Sequence, residues 1–240
     1  MQVLKFGGSS VANAQNMAKV IDIVTKAVDR DRTILVSSAI SGCTDTLIKI
    51  GTLASERDES YKTLIDELQT RHHEIIDSFL PVEKQAESKE VCDGLFDSLR
   101  SIAQGVYLLG ELSPASLDAI QSFGELWSTK ILATKLASIG IATKWIDSRQ
   151  IIRTIAKGEK NVVDIQKNYF RVNEMVETNP ITQLFVLPGF IASDKQGRTT
   201  TLGRGGSDYT AALYAVGCKA RILEIWTDVP GMMTSNPKVV

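Results

Sequence analysis

The chain has 240 residues, of which 43% are hydrophobic and 23% are charged, and this composition predicts a globular protein with a sizeable core and excludes a disordered one. Its 27 Lys and Arg residues balance 28 Asp and Glu residues, for a net charge of -1, so there is no bulk attraction to nucleic acid or to anionic membranes. No apolar run reaches the length of a bilayer span, and no signal-peptide pattern opens the chain. We therefore expect a cytoplasmic protein with no nucleic-acid or membrane partner.

Five short apolar or β-branched runs predict strands, and stretches of helical period lie between them. The predicted strands are residues 3–6, 33–36, 142–146, 183–187 and 221–226. The first helix is predicted directly after the first strand, on the spacing of Met17, Val20, Ile21, Val24 and Val28. This alternation predicts an α/β fold, a three-layer α/β/α sandwich with a mostly parallel central sheet.

Residues 45–138 have little strand pattern and predict a helical insertion in the N-terminal half. One apolar run comprises Tyr61, Leu64, Ile65 and Leu68, and a second comprises Val91, Leu95, Leu99, Ile102, Val106 and Leu109. Polar breaks at 55–60 and 81–88 predict loops between the helices. Ordinary core packing and a short coiled-coil seam both fit the second run.

The cysteines and histidines predict no disulfide framework and no metal site. Cys43, Cys92 and Cys218 lie far apart without a C-x-x-C pair, so we expect reduced core residues. His72 and His73 are adjacent and on a helix would point about 100° apart, too far to face one ion. A solvated helix face is the preferred interpretation for both.

A glycine pair follows the first predicted strand, in the sequence KFGGSS at residues 5–10. Gly7 and Gly8 permit close backbone approach, and a helix start behind them would offer unpaired N–H groups to an anion. Lys5 adds a positive charge suited to phosphoryl oxygens. The pattern indicates a phosphate site, although a plain connection between strand and helix would also use these glycines.

A second glycine-rich loop, TTTLGRGGSD at residues 199–208, leads into a predicted helix at 209–216. Arg204 can clamp a carboxylate or a phosphate through two hydrogen bonds, while Ser207 or Asp208 can cap the helix. The P-loop pattern and a G-x-G-x-x-G pattern with a ribose-binding acid are both missing, which disfavours a P-loop NTPase or a dinucleotide dehydrogenase. Two such loops predict two anionic partners.

Other polar side chains lie near predicted strand ends or within an apolar helix. Ser38 and Thr44 follow the second strand, at the edge where ligands meet parallel sheets. Glu125 lies in a largely apolar helical stretch and needs a cation, either a substrate ammonium or an internal Lys or Arg. Thr227 and Asp228 end the last predicted strand and precede a turn that could hold a nucleotide.

Taken in succession, these motifs resemble the aspartokinase family over essentially the whole chain. They are VLKFGGSSV at 3–11, the segment 38–44, FGE at 123–125, GRGGSD at 203–208 and IWTDVPG at 225–231. The resemblance implies the amino-acid-kinase fold and transfer of the ATP γ-phosphoryl group, with Mg²⁺, to the β-carboxylate of L-aspartate. The product, 4-phospho-L-aspartate, opens lysine, threonine and methionine synthesis. A glutamate or acetylglutamate kinase of the same fold, or a fragment that only binds aspartate, remains an alternative.

The resemblance also assigns roles to individual residues. Lys5 contacts the phosphates and stabilises the transition state, and Asp208 orients it. Within the substrate site, Glu125 pairs with the ammonium and Arg204 with a carboxylate. The substrate-binding residues are Ser38, Thr44, Glu125, Arg204, Gly205, Gly206 and Ser207, and the nucleotide-binding residues are Lys5, Gly7, Gly8, Thr227, Asp228, Met233 and Lys238. No protein ligand to the metal is assigned.

By the same resemblance, residues 1–240 form one catalytic domain, with 1–180 mainly the aspartate-binding lobe and 181–240 the start of the ATP-binding lobe. Ser9, Met233 and Lys238 depart from the usual Thr, aromatic residue and Arg, and Lys238 loses the bidentate fork. Family members continue with ACT domains and, in bifunctional members, a homoserine dehydrogenase. We therefore expect a C-terminally truncated part of a longer, homo-oligomeric enzyme.

Overall fold

The computed structural model describes residues 1–157 and 160–227. Within these ranges the helices are α1 (Ala14–Arg30), α2 (Cys43–Ser55), α3 (Ser60–Phe79), α4 (Val82–Leu109), α5 (Pro114–Ser138), α6 (Ser148–Ile151), α7 (Ile165–Glu177) and α8 (Gly206–Gly217). The strands are β1 (Gln2–Phe6), β2 (Thr33–Ser37), β3 (Thr143–Trp145), β4 (Thr154–Lys157), β5 (Lys160–Val163), β6 (Leu184–Pro188), β7 (Ile191–Ser193), β8 (Thr199–Thr201) and β9 (Ile222–Trp226).

The main sheet has five strands in the order β3-β6-β2-β1-β9. Every pairing in it is parallel, and its strands are the five that the sequence predicts. Because parallel strands end at a common edge, the residues that follow β1, β2, β6 and β9 lie near one another. This edge carries the site described below.

Alternate residues of the central strands enter two different cores. In β1, Leu4 and Phe6 belong to a core shared with α1 to α5, whereas Val3 packs in a second core with Val172 of α7 and Leu213 of α8. All five positions of β1, β2 and β6 are buried, as expected for a sheet covered on both faces. The predicted three-layer α/β/α arrangement is confirmed.

The helical insertion is also confirmed, as α2 to α5, but one predicted loop is wrong. Helix α4 begins at Val82, directly after Pro81, so residues 82–88 are helical; their Glu, Lys, Gln and Ala are good helix formers on an exposed surface. The buried stripe of α4 also differs from the predicted run, whose ends Val91 and Leu109 are 45% and 78% exposed. The stripe consists of Cys92, Phe96, Leu99, Ala103 and Val106, and it packs within the chain.

The solvated position predicted for His72 is wrong. Its ring is fully buried and lies 5.6 Å from Phe96 and 4.8 Å from Trp127, measured between ring centroids. Burial lowers the pKa of His72 to about 4, so the ring is a neutral core residue at pH 7. Only its neighbour His73 is partly exposed, with Nε2 2.7 Å from Asp93.

The cysteines are free, as predicted, with Cys43 and Cys92 buried and Cys218 partly buried. Burial raises the pKa of the Cys92 thiol to about 12. Among the described residues, no cluster of three or more His, Cys, Asp or Glu side chains could hold a metal ion. In the same part of the chain, no helix combines the length and apolarity needed to cross a bilayer.

Two antiparallel hairpins are absent from the sequence prediction. Strands β4 and β5 form one hairpin, and β7 and β8 form the other. The second hairpin connects β6 to α8 and therefore delivers the glycine-rich loop at residues 202–205 to the carboxyl edge of the main sheet.

Candidate active site at the carboxyl edge of the sheet

A cavity of about 430 Å³ opens at this edge, between the ends of β1 and β2, helix α5, and the starts of α2 and α8. All seven predicted substrate-binding residues line it, together with three of the other predicted residues. The predicted residues that line it are Lys5, Gly8, Ser38, Thr44, Glu125, Arg204, Gly205, Gly206, Ser207 and Asp208. Motifs separated by up to two hundred positions therefore meet in one place.

Lys5 and Asp208 form an ion pair at the wall of this cavity. Lys5 lies on β1 between Val36 of β2 and Ile225 of β9, and its side chain is largely buried. Its Nζ is 2.7 Å from Oδ1 of Asp208, in the first turn of α8. The carboxylate thus fixes the lysine ammonium beside the start of α8.

Two helices begin at the cavity. Gly42 precedes α2 with φ +77°, and Gly205 precedes α8 with φ +74°, a left-handed conformation that favours glycine. The first turns contribute Thr44 and Ser207 to the lining, and helix N-termini carry partial positive charge. The alternative in which Ser207 or Asp208 caps this helix is wrong, because α8 starts earlier than predicted and its N-cap is Gly205, without a side-chain hydrogen bond.

The start of α8 packs tightly against the loop that follows β6. A Cβ on Gly189 would lie 2.7 Å from the Ser207 Oγ, and a Cβ on Gly206 would lie 2.8 Å from the Phe190 ring. Gly189 and Phe190 support the site but are missing from the sequence prediction. The only local signal for them is the position of Gly189 two residues after a predicted strand.

Glu125 lies at the base of the cavity with one oxygen unpaired. The residue is only 3% exposed; its Oε1 accepts a hydrogen bond from the Ala39 N–H at 3.1 Å, and its Oε2 has no partner among the described residues. Burial raises the pKa of Glu125 to about 8. The internal salt bridge considered for this residue is not formed within the described chain, so a cation from a ligand is the partner that its position leaves open.

Helix α5 also fixes the loop after β2. Ser128 donates a hydrogen bond to the carbonyl oxygen of Ser38 at 2.8 Å, one turn from Glu125. Gly124 permits this approach, since a Cβ there would lie 2.7 Å from the Cβ of Ala39. Ser38 is therefore positioned by a helix remote from it in sequence.

A further contact joins α5 to the second hairpin. Asp118 accepts hydrogen bonds from the backbone N–H of Thr201 at 3.3 Å and from its hydroxyl at 2.8 Å. Thr201 ends β8, just before the loop that carries Arg204. Arg204 itself is exposed and forms no ion pair with any residue in the described ranges, so its guanidinium remains available to a ligand.

The glycine pair after β1 differs in part from the prediction. A 3₁₀ turn, Gly8–Val11, separates it from α1, which is capped by Asn13. The N–H of Gly7 donates to the carbonyl of Trp226 at 3.2 Å and is not free for an anion. Gly8 lines the cavity, but Gly7 and Thr227 are not among its lining residues. Of the other predicted nucleotide contacts, Asp228, Met233 and Lys238 lie outside the described residues.

Comparison with known proteins agrees with the motifs. Lysine-sensitive aspartokinase 3 of Escherichia coli K12 is 34% identical over 244 residues, which cover 99% of this chain and 51% of that protein. The chloroplastic bifunctional aspartokinase/homoserine dehydrogenase 2 of Arabidopsis thaliana is 29% identical, with 99% and 26% covered. The chain thus spans about half or about a quarter of the length of these relatives.

Comparison with solved structures also shows similarity to aspartokinases. The crystal structure of E. coli aspartokinase III in complex with aspartate and ADP superposes with a TM-score of 0.88 at 32% identity, over 100% of this chain and 52% of that one. The resemblance to aspartokinases is therefore confirmed. Because the model of the amino acid kinase family matches residues 1–240, the chain belongs to the amino acid kinase family.

Proposed function

We propose that the chain is an aspartate kinase catalytic unit that transfers the γ-phosphoryl group of ATP to the β-carboxylate of L-aspartate, forming 4-phospho-L-aspartate. The observation that carries the proposal is the unpaired Oε2 of buried Glu125, in one cavity with Arg204 and Lys5. Such a cavity offers a carboxyl group for an ammonium and cations for carboxylate and phosphate. The related E. coli enzyme was crystallised with aspartate and ADP.

In this proposal, the α-ammonium of aspartate pairs with Glu125 and a carboxylate pairs with Arg204. The hydroxyls of Ser38, Thr44 and Ser207 and the backbone of Gly205 and Gly206 complete the pocket. The starts of α2 and α8 add partial positive charge to the carboxylate side.

The phosphoryl acceptor needs no general base, because a carboxyl group with an ordinary pKa of about 3.9 is already ionised at neutral pH. The chain's own task is to align two anions and to offset their repulsion. Lys5 is suited to the phosphoryl oxygens, Asp208 orients its ammonium, and Gly8 offers backbone at the same wall. Gly7, Thr227, Asp228, Met233 and Lys238 remain predicted nucleotide contacts.

Magnesium is proposed as a partner of the nucleotide. The described residues contain no cluster of three acidic, His or Cys ligands, so they do not form a protein cage for a metal. A nucleotide-bound Mg²⁺ is held largely by phosphate oxygens and water, and supplies charge neutralisation. We assign it no protein ligand.

We further propose that residues 1–180 contribute mainly to the aspartate side and residues 181–240 to the ATP side. The main sheet is continuous across this division, because β6 and β9 pair with β2 and β1. The enzyme would be a cytoplasmic homo-oligomer that opens lysine, threonine and methionine synthesis.

The proposal is tested by offering aspartate, glutamate or acetylglutamate with Mg-ATP and trapping any acyl phosphate with hydroxylamine. We expect a signal with aspartate alone. A signal only with glutamate or acetylglutamate would assign another acceptor to the same fold. Calorimetry on the same sample covers the remaining alternative: aspartate binding without ATP binding or turnover identifies a fragment that only binds aspartate.

A further inference from the structure

A second cavity, of about 440 Å³, lies between α4, α5 and β3 and shares no lining residue with the candidate active site. Its volume is within the range of roughly 300–1,000 Å³ that small-molecule sites occupy. Its apolar lining includes Cys92, Leu95, Trp127, Ile131 and Trp145. Two indole rings therefore contribute to one small cavity.

The two indole N–H groups near this cavity differ in their hydrogen bonding. Trp127 is buried, and within the described chain its indole N–H has no hydrogen-bond acceptor. The indole N–H of Trp145, in contrast, donates to the Thr129 hydroxyl at 2.9 Å. The Trp127 N–H is enclosed by the protein, so Trp127 contributes an apolar wall to the cavity and not a donor.

The cavity also contains a lysine without an anionic partner. The Nζ of Lys130 lies 3.8 Å from the centroid of the Trp145 ring, and Lys130 forms no ion pair with the described residues. Burial lowers its pKa, and Asp147, which is paired with Arg149, offsets this only in part. The other cation in the lining, Lys84, is paired with Glu87 at 3.2 Å.

We propose that this cavity binds a small amphipathic carboxylate with a flat aromatic body. The carboxylate would pair with Lys130, and the aromatic body would pack against the partly exposed indole ring of Trp145 and the apolar side chains of the lining. Aromatic faces favour stacked or edge contacts with a flat ring, and a charge-assisted bond to a partly buried lysine is stronger than a neutral one. The inference is independent of the proposed kinase activity.

The test uses 1-naphthylacetate as the probe and its neutral amide as the matched ligand, with intrinsic tryptophan fluorescence and calorimetry as readouts. We expect saturable binding of the acid and binding of the amide that is weaker by about tenfold or more. Lys130→Met should reduce affinity for the acid to that of the amide. Lys135→Met should leave it unchanged, because Lys135 is on the same helix over Phe79 and outside the cavity.

A second variant guards against a folding defect in Lys130→Met. Val91→Glu places a negative charge at the exposed rim, so it should weaken the acid and spare the amide while leaving circular dichroism unchanged. Equal affinity for acid and amide, equal affinity in both lysine variants, or no saturable binding would overturn the proposal. Saturating aspartate should not change the affinity for 1-naphthylacetate, because the two cavities share no lining residue. Failure of this proposal can therefore be distinguished from failure of the proposed function.

Discussion

In the proposed function, Glu125 is the residue that recognises the ammonium of an amino acid. Its carboxyl group is buried with one oxygen unpaired, and burial raises its pKa to about 8, an effect that the hydrogen bond from the Ala39 N–H offsets only in part. At neutral pH the ligand-free side chain therefore holds a proton. An ammonium that reaches Oε2 would stabilise the charged form and release that proton.

Glu125→Gln should weaken aspartate binding by about 10- to 100-fold, since a hydrogen bond to a charged group contributes roughly 1.5–3 kcal/mol. Succinate, which has both carboxylates but no ammonium, should bind the variant and the wild-type chain alike. Calorimetry with both ligands, repeated in buffers of different ionisation enthalpy, measures affinity and proton release together. A loss of succinate affinity as large as that of aspartate would remove Glu125 from ammonium recognition.

Lys5 should act on turnover more than on affinity, because its charge matters most while the phosphoryl group moves. We expect Lys5→Met to lower kcat by about 100-fold or more and to leave the aspartate Kd within about threefold. Lys195→Met, at an exposed position outside the cavity, is the matched control. Near-normal turnover in Lys5→Met would contradict the catalytic assignment.

At the scale of elements, α5 positions two loops of the candidate site. Glu125 and Ser128 bind the loop after β2, and Asp118 binds the end of β8. None of these contacts has a local sequence signal, since each joins residues more than eighty positions apart. The sequence pattern of α5 indicates only an apolar helix, yet its contacts set the positions of Ser38 and of the loop that carries Arg204.

The approach of α5 to the loop after β2 can be tested with matched glycine substitutions. Gly124→Ala places a Cβ 2.7 Å from the Ala39 Cβ, so we expect a loss of about 1–3 kcal/mol in the free energy of unfolding. Gly105→Ala, in α4 where nothing lies within 4 Å of the new Cβ, should gain up to about 1 kcal/mol from helix propensity. Urea unfolding measures both. Equal effects at the two positions would show that the contact with Ala39 is unimportant.

For the whole molecule, the raised pKa of Glu125 makes stability depend on pH. Between the ordinary pKa near 4.5 and the folded value of about 8, the folded chain holds a proton that the unfolded chain has lost. The contribution of Glu125 to the free energy of unfolding is therefore complete below about pH 4.5 and is lost as the pH rises through the folded pKa of about 8. The loss is at most about 1.4 kcal/mol per pH unit. Urea unfolding of the ligand-free chain at several pH values should show this decrease, and Glu125→Gln should lack it.

The sequence is sufficient to predict the five strands of the main sheet: β1, β2 and β6 are buried on both faces and are largely apolar, and the more exposed β3 and β9 still contain β-branched or aromatic residues. The hairpins escape prediction because strands such as Thr199–Thr201 are short and polar. The predicted loop at 81–88 fails because exposed helix formers resemble loop composition. The predicted substrate residues have local signals, a glycine-rich loop for Arg204 to Ser207, a strand end for Ser38 and Thr44, and an apolar helix for Glu125. Phe190 and Asp118 have none.

The pairing of β9 with β1 has a consequence for synthesis on the ribosome. Gln2 pairs with Ile222, and the N–H of Gly7 is bound by Trp226. One edge of the earliest strand therefore stays open until nearly all of the described chain has emerged. Pairing between strands so distant in sequence is slow and leaves unpaired backbone groups exposed to aggregation. We therefore expect the nascent polypeptide to be most prone to aggregation just before β9 pairs with β1, the strand that carries Lys5.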